Sequence, residues 1–187
     1  MKTLKKTVAA IGAALLIGIA SVAVMADPPR VPATNDAQLA KRVRHELLML
    51  PYYGVFDNLA YNINGSTVTL YGQVVRPTTR SSAERVVKKL PGVARVVNNI
   101  NVLPLSSFDD QIRAATYRSI VGTGGLYRYL IGANPSLHIV VDRGHVTLEG
   151  VVSGKGDKTL AYMAARRVPG VFSVTNNLRV QGEGELR

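Results

Sequence analysis

Two hydrophobic patterns follow one another in the first half of the chain. Residues 67–74 alternate, with an apolar residue or glycine at every second position, and this predicts a half-buried β-strand. The Asn-Gly pair at 64–65 favours a tight turn just before that strand. Residues 59–63 are therefore predicted to be the partner strand of a hairpin.

Helical spacing follows the hairpin. Apolar residues recur at i, i+3, i+4 and i+7, the stripe of an amphipathic helix. Its members are Ala83, Val86, Val87 and Leu90. Ser81 and Glu84 have the spacing of a capping box, which predicts that the helix begins near Ser81. Pro-Gly at 91–92 ends it, and residues 93–102 are predicted to form a last strand.

This pattern is written twice. Val-Thr-Leu-x-Gly at 68–72 returns at 146–150, an offset of 78 residues, and Pro-Gly-Val at 91–93 returns at 169–171 with the same offset. The alignment needs no gap from Leu59 to Val102, so the chain is interpreted as two copies of one unit. A thin core makes each copy marginal alone, and the two copies are expected to pack against each other.

A leading helix is predicted in each copy, beginning near Asp36 and near Asp109. The residues expected to face inward are Leu39, Val43 and Leu47 in the first helix and Ile112, Thr116 and Ile120 in the second. Leu39 aligns with Ile112 at an offset of 73, so the second copy has five more residues between its leading helix and its hairpin. Each unit is thus α-β-β-α-β, over about 36–104 and 108–182, with a linker at 105–107.

Composition and charge restrict the function. The chain has 187 residues, 47% hydrophobic, with 23 Lys plus Arg against 12 Asp plus Glu and a net charge of +11. Such a balance argues for an anionic partner. The absence of cysteine excludes a disulfide framework, a cysteine zinc site, a thiol nucleophile and a lipidated N-terminal cysteine.

The N-terminus has the pattern of an export signal. Three lysines within the first six residues precede an apolar run at 7–20, and Val-Met-Ala at 24–26 fits a cleavage site. We expect a signal peptide at 1–26, cleaved after Ala26, an extension at 27–35 and a tail at 183–187, in a periplasmic protein. An uncleaved anchor is the alternative, because 7–24 is just long enough to span a bilayer. Export argues against nucleic acid as the partner and leaves phospholipid, cell-wall polymer and lipopolysaccharide as the candidate anionic partners.

The repeated motifs closely resemble the BON domain. They are the glycine turn before Val-Thr-Leu-x-Gly, the middle helix, and Pro-Gly-Val-x-x-Val-x-Asn-Asn at 91–99 and 169–177. The resemblance implies an α+β fold in which each unit is a three-stranded mixed sheet backed by two helices. It also implies no catalysis, no cofactor, and a role at the cell envelope. The expected partner is an anionic phospholipid membrane or, alternatively, envelope proteins held by a chaperone-like or adaptor module.

Lipid contact in the family implies a candidate region at the first helix of the second unit and the loop after it, about 113–131. Basic residues of the later helix add to it. The candidate residues for lipid binding are Arg113, Arg118, Leu126, Tyr127, Arg128, Tyr129, Leu130, Lys158, Arg166 and Arg167. Two alternatives stay open: that the charges are an ordinary solvated helix face, as also for Arg80, Arg85, Lys88 and Lys89, and that the rings cover the open face of a small sheet.

Other polar residues give weaker signals. His138 and His145 flank a hairpin turn and are expected to lie close across it, but too few ligands accompany them for a metal site. Asp109 and Asp110 are interpreted as helix caps. Asn98, the first of two consecutive asparagines in the repeated motif, is expected to point toward the core unless a bulge re-aims it. We interpret this residue as structural.

Overall fold

The computed structural model describes residues 33–182, with side chains from Asp36 onward. The predicted signal peptide at 1–26 and the tail at 183–187 lie outside the described residues. Within 33–182, no helix combines the length and the apolar content needed to cross a bilayer. The described part is a mixed α+β fold with four α-helices and two mixed sheets.

The first repeat follows the predicted order of elements. Its helices are α1 (Ala33–Leu48) and α2 (Pro77–Lys88), and its strands are β1 (Asn58–Asn64), β2 (Thr67–Val74) and β3 (Arg95–Val102). The sheet order is β1-β2-β3, with β1 antiparallel and β3 parallel to β2. The hairpin and the crossover through α2 confirm the predicted hairpin, middle helix and last strand.

The second repeat has the same order with two differences. It contains α3 (Ser107–Val121), β4 (Leu137–Asp142), β5 (His145–Val152), α4 (Lys155–Arg166), β6 (Ser173–Asn176) and β7 (Arg179–Val180). The single last strand predicted over 171–180 is wrong here, because β6 and β7 pair with β5 as two separate segments. The five additional residues accompany a short 3₁₀ helix, Leu126–Tyr129, after α3.

The repeated glycine of each hairpin is required by close backbone approach. Gly72 and Gly150 have φ of +116° and +115°, and a Cβ on either would lie 2.0 Å from the carbonyl oxygen of Asn58 or Ser136. No side chain fits in that space, and positive φ is strained for any residue other than glycine. The glycine of the motif Val-Thr-Leu-x-Gly is therefore repeated for a backbone reason.

Two predictions about helix termini are wrong. Helix α2 begins at Pro77, where the fixed φ and missing N–H of proline suit a first turn, so Ser81 lies inside the helix. Helix α3 is capped by Ser106, whose hydroxyl accepts a hydrogen bond from the N–H of Asp109 at 3.1 Å. Asp110 lies in the first turn of α3 and forms an ion pair with Arg113.

The repeated asparagine joins each sheet to its helix. Asn98 points to the helix side without a bulge, and its amide donates to the carbonyl of Arg80 at 3.2 Å and to the carboxylate of Glu84 at 3.0 Å. Asn176 makes the corresponding bond to the carbonyl of Lys158 at 2.9 Å. These bonds satisfy the amide group of a half-buried side chain and support the structural interpretation.

Each repeat has its own hydrophobic core between its sheet and its two helices. The leading-helix residues predicted to face inward are all buried. In the first repeat they pack against Val68, Leu70, Ala83 and Val87. In the second repeat, Ile112 and Ile120 pack against Leu148, Ala161 and Ala165. One face of each sheet is thus covered by helices and the other faces away from them.

Candidate functional site

The repeats contact each other through the loop after α1. The carbonyl of Val55 accepts a hydrogen bond from the N–H of Ile139 at 2.7 Å, so this loop lies along the edge of β4. Val55 and Phe56 pack on the core of the second repeat, and the Phe56 ring meets Tyr117 edge-on at 6.3 Å. The expectation that the two copies pack against each other is confirmed.

His138 lies in this contact rather than near His145. The strand register places His138 opposite Glu149 and His145 opposite Asp142, so the two histidines are at opposite ends of the hairpin and the predicted proximity is wrong. His138 is buried, with its ring nitrogens 3.5 Å from the Tyr53 hydroxyl and 3.3 Å from the carbonyl of Gly54. Burial lowers the pKa of His138 and raises that of Tyr53 to about 12.

Four of the candidate lipid-binding residues are buried, so they do not present a surface to a membrane. Leu126, Tyr129 and Leu130 belong to the core of the second repeat, because the inserted 3₁₀ helix folds back onto it. The guanidinium of Arg113 forms an ion pair with Asp110 at 2.6 Å and donates to the carbonyl of Val141 at 2.7 Å. Tyr129 and the two leucines thus contribute to the core of the second repeat, and Arg113 is held below its surface.

Arg128 is exposed but already has an acidic partner. It forms an ion pair with Asp157 at 2.8 Å and also donates to the hydroxyl of Tyr129. The same hydroxyl donates to Asp157 at 2.6 Å and accepts from the N–H of Ser153 at 2.9 Å. This network fastens the insertion to the start of α4 and leaves Tyr127 as the exposed ring of the loop.

The other candidate basic residues remain accessible. Arg118 on α3 is exposed, as are Arg166 and Arg167 at the end of α4, while Lys158 is half-buried. Arg166 donates to the hydroxyl of Tyr162 at 3.1 Å. No ion pair forms between these four residues and a carboxylate within the described range.

The structure reveals an aromatic surface that the sequence analysis missed. Phe108 and Phe172 are 43% and 70% exposed, and their ring centroids are 6.0 Å apart. The Phe172 ring lies over Gly144, and the Phe108 ring lies beside Gly170. Leu105, in the linker just before α3, is 94% exposed. We call Leu105, Phe108 and Phe172 the aromatic tip of the second repeat.

A signal for the aromatic tip was present in the repeat alignment. Phe172 aligns with Ala94 at the offset of 78, and Phe108 aligns with Asn35 at the offset of 73. The chain has three phenylalanines, and two of them occupy these positions only in the second repeat. Comparing the repeats for differences, as well as for matches, would have found the tip.

Arginines lie near the aromatic tip, together with Asp110 and Asp142. Phe108, Arg118 and Pro169 line one shallow groove between α3 and the end of α4. Arg143 adjoins Gly144 under the Phe172 ring. Its side chain is highly exposed, and its Nε forms a long ion pair of 4.0 Å with the carboxylate of Asp142. With Arg166 and Arg167 just before Pro169, the second repeat presents exposed apolar rings among cations, an arrangement suited to the boundary of an anionic membrane.

The described residues contain no cluster of three or more His, Asp or Glu side chains with metal-binding geometry. His145 instead has its Nδ1 2.7 Å from the hydroxyl of Ser173 and its ring 5.9 Å from Phe172. It contributes to the surroundings of the aromatic tip.

One protein of known sequence and two solved structures are similar to this chain over most of its length. The chain is 27% identical over 153 residues to a protein of Anaplasma centrale described as an uncharacterized protein in the gshII 5′ region, covering 79% of this chain and 95% of that protein. A solved C-terminal domain of CdsD, a structural protein of the type III secretion system of Chlamydia trachomatis, is similar with 13% identity and a TM-score of 0.32, covering 76% of this chain and 96% of that one. A second CdsD structure gives 14% identity and a TM-score of 0.30, covering 79% of this chain and 95% of that one.

A domain family also matches the chain, in two separate ranges. The BON domain profile matches residues 35–104 and again residues 109–182, which together make up most of the chain. Both matched ranges contain the α-β-β-α-β order with its hairpin glycine and its asparagine bridge. The chain therefore belongs to the BON domain family and carries the domain twice in tandem.

Proposed function

We propose that this protein binds anionic phospholipid membranes peripherally through the aromatic tip and its arginines, and that it supports the integrity or stress tolerance of the cell envelope. BON domains are linked to phospholipid binding or envelope-related roles, and the family is generally non-enzymatic. The observation that carries the proposal is the exposed Phe108 and Phe172 pair. Near it lie Arg118, Arg166 and Arg167, which form no ion pair within the described residues.

The energetics favour an interfacial mode of binding. Each Lys or Arg near an anionic membrane surface contributes about 1 kcal/mol, so Arg118, Arg143, Arg166 and Arg167 supply attraction of a few kcal/mol. Fully burying a phenylalanine ring contributes about 1.5–3 kcal/mol. Charge brings the tip to the head groups and the rings then insert, which makes binding dependent on both salt and anionic lipid.

Vesicle sedimentation tests the proposal. Protein comprising residues 27–187 is mixed with vesicles containing phosphatidylglycerol or with pure phosphatidylcholine vesicles, at about 0.1 M and about 1 M salt, where the Debye length falls from about 10 Å to about 3 Å. We expect binding to the anionic vesicles at low salt, at least tenfold weaker binding at high salt, and little binding to the neutral vesicles. Absence of binding to the anionic vesicles would refute the proposal.

The arginine contribution has its own variant. Arg166→Glu with Arg167→Glu should weaken vesicle binding at least tenfold, because it reverses two charges at about 1 kcal/mol each. Both side chains are exposed, so the fold should be retained. If the same variant binds vesicles normally, and the protein suppresses the aggregation of client proteins at high salt, an adaptor or chaperone function replaces the membrane proposal.

A further inference from the structure

The first sheet has an uncovered face with an unusual composition. Alternate residues of β1, β2 and β3 face away from the core, and the register arranges them in four rows of three. The rows are Asn64, Thr67 and Arg95, then Asn62, Thr69 and Val97, then Ala60, Tyr71 and Asn99, then Asn58, Gln73 and Asn101. None of the twelve is buried. We call these twelve residues the amide face.

Six of the twelve side chains on the amide face are amides. None of those six takes part in a side-chain hydrogen bond within the described residues. Asparagine is depleted in β-strands, where β-branched residues fit better, so folding alone does not account for five asparagines on one sheet face. The six amides therefore present hydrogen-bond donors and acceptors that are free to bind a ligand.

Tyr71 lies near the middle of the amide face, on the central strand β2. It is 42% exposed, and no aromatic or cationic side chain of the described part of the chain stacks on its ring. Its row neighbours are Ala60 and Asn99, both smaller than the ring. At least part of the ring is therefore open to a ligand.

The amide face is almost free of charge. It holds no carboxylate, and its one cation, Arg95, lies in an end row. This is a neutral surface on a protein with a net charge of +11. The composition matches neither a polyanion site, which needs several cations, nor an acyl-chain site, which needs a larger apolar area.

The second sheet offers an internal comparison. At the position of Tyr71 it has Glu149, which accepts a hydrogen bond from Asn177 at 2.7 Å. At the positions of Ala60 and Asn62 it has His138 and Val140, which are buried. Asn177 is the single amide among the twelve equivalent positions. The same fold therefore forms a sheet without a free amide face.

We propose that the amide face binds a linear neutral polysaccharide. Sugar hydroxyls both donate and accept hydrogen bonds, as the free amides and the hydroxyls of Thr67 and Thr69 do. The C–H face of a pyranose ring can stack on the exposed ring of Tyr71, and a neutral chain suits the missing charge. At 3.3 Å per residue and 4.8 Å between strands, the face measures about 20 Å by about 10 Å, enough for several sugar units in a row.

NMR titration of the purified protein tests this site. The probes are a β-1,4-linked tetramer of N-acetylglucosamine and maltotetraose, a neutral α-linked tetramer. We expect at least one probe to shift backbone amide resonances of β1–β3 and to leave those of β4–β7 in place. No binding of either probe at millimolar concentration, or shifts confined to the second repeat, would overturn the proposal.

Two variants locate the contact. Tyr71→Thr keeps a residue that favours strands and should weaken binding about tenfold, which corresponds to about 1.4 kcal/mol. The double variant Asn62→Thr with Asn101→Thr should also lose affinity although it improves strand propensity, so unfolding cannot explain its loss. Glu149→Thr, at the Tyr71 position of the second sheet, should bind like the unmodified protein. Unchanged affinity in both the Tyr71→Thr variant and the double asparagine variant would contradict the proposal.

The glycan site is independent of the membrane proposal. Tyr71→Thr should leave vesicle sedimentation unchanged, and Arg166→Glu with Arg167→Glu should leave the oligosaccharide titration unchanged. Failure of one activity in the unmodified protein therefore says nothing against the other.

Discussion

The two repeats share what the fold needs and differ in what they expose. The hairpin glycines Gly72 and Gly150 have the same φ and the same backbone neighbour, and Asn98 and Asn176 make the same bond to a helix carbonyl. The tip of the second repeat carries two phenylalanines where the first has none. The first sheet carries six free amides, whereas the one amide at the equivalent positions of the second sheet is bonded to Glu149. A duplicated fold has thus acquired two different surfaces.

The repeats also differ in how the leading helix is fastened. In the second repeat the buried carboxylate of Asp109 accepts hydrogen bonds from the N–H groups of Arg143 and Gly144 at 2.9 and 2.8 Å, which ties α3 to the hairpin turn. Asp36 holds the equivalent place in the first repeat, but it is exposed, and within residues 36–182 no hydrogen bond ties it to the turn. The aromatic tip is built on the fastened end.

The largest effect is expected at this difference. Asp109→Ala removes an acceptor from two backbone N–H groups, one of them fully buried, and should lower the free energy of unfolding by about 3 kcal/mol. Asp36→Ala should lower it by no more than about 0.5 kcal/mol, because surface substitutions rarely cost more. Urea unfolding followed by circular dichroism measures both. Equal losses in the two variants would show that the helices are fastened alike.

A smaller effect is expected from pH. Burial lowers the folded-state pKa of His138 below its ordinary 6.5, so its contribution to stability is present above pH 6.5 and is lost as pH falls toward the folded pKa. In the His138→Gln variant, the loss of stability between about pH 7.5 and about pH 5.5 should be smaller by the part that His138 contributes. The equivalent residue of the first repeat is Ala60, which does not titrate.

Asp57 titrates in the opposite sense at the same contact. Burial raises the pKa of this carboxyl, whose ordinary value is 3.8, so its protonation in the folded state opposes the loss from His138 at the acidic end. The difference between the unmodified protein and His138→Gln, measured by urea unfolding at each pH, isolates the histidine. Parallel pH curves for the two proteins would exclude a role for His138 in the pH dependence.

Sequence patterns predicted the elements because both copies repeat the same periodicity, turn residues and hairpin glycine. They misplaced the start of α2 because Ser81 and Glu84 have capping-box spacing inside a helix that Pro77 already begins. They missed the split of the last strand into β6 and β7, which no residue of the repeated motif signals. Local periodicity determines elements better than it determines their ends.

The candidate site was only partly predictable. Arg118, Arg166 and Arg167 are exposed as a lipid-facing role requires, but Leu126, Tyr129 and Leu130 are buried because an inserted segment rich in apolar residues can either face a membrane or complete a core. The two terminal nitrogens of the buried Arg113 guanidinium donate to Asp110 and to the carbonyl of Val141. Tertiary packing decides between these fates, and the periodicity of one helix does not show it.

The membrane-binding role of the aromatic tip is tested most directly by a variant in which two tip positions carry the residues that the first repeat has there. Phe108→Asn with Phe172→Ala places at both tip positions the residues that the first repeat has, and the exposure of both rings keeps the cost to stability small. We expect at least tenfold weaker sedimentation with phosphatidylglycerol vesicles and an unchanged circular dichroism spectrum. Undiminished binding by this folded variant would contradict a membrane-binding role for the aromatic tip.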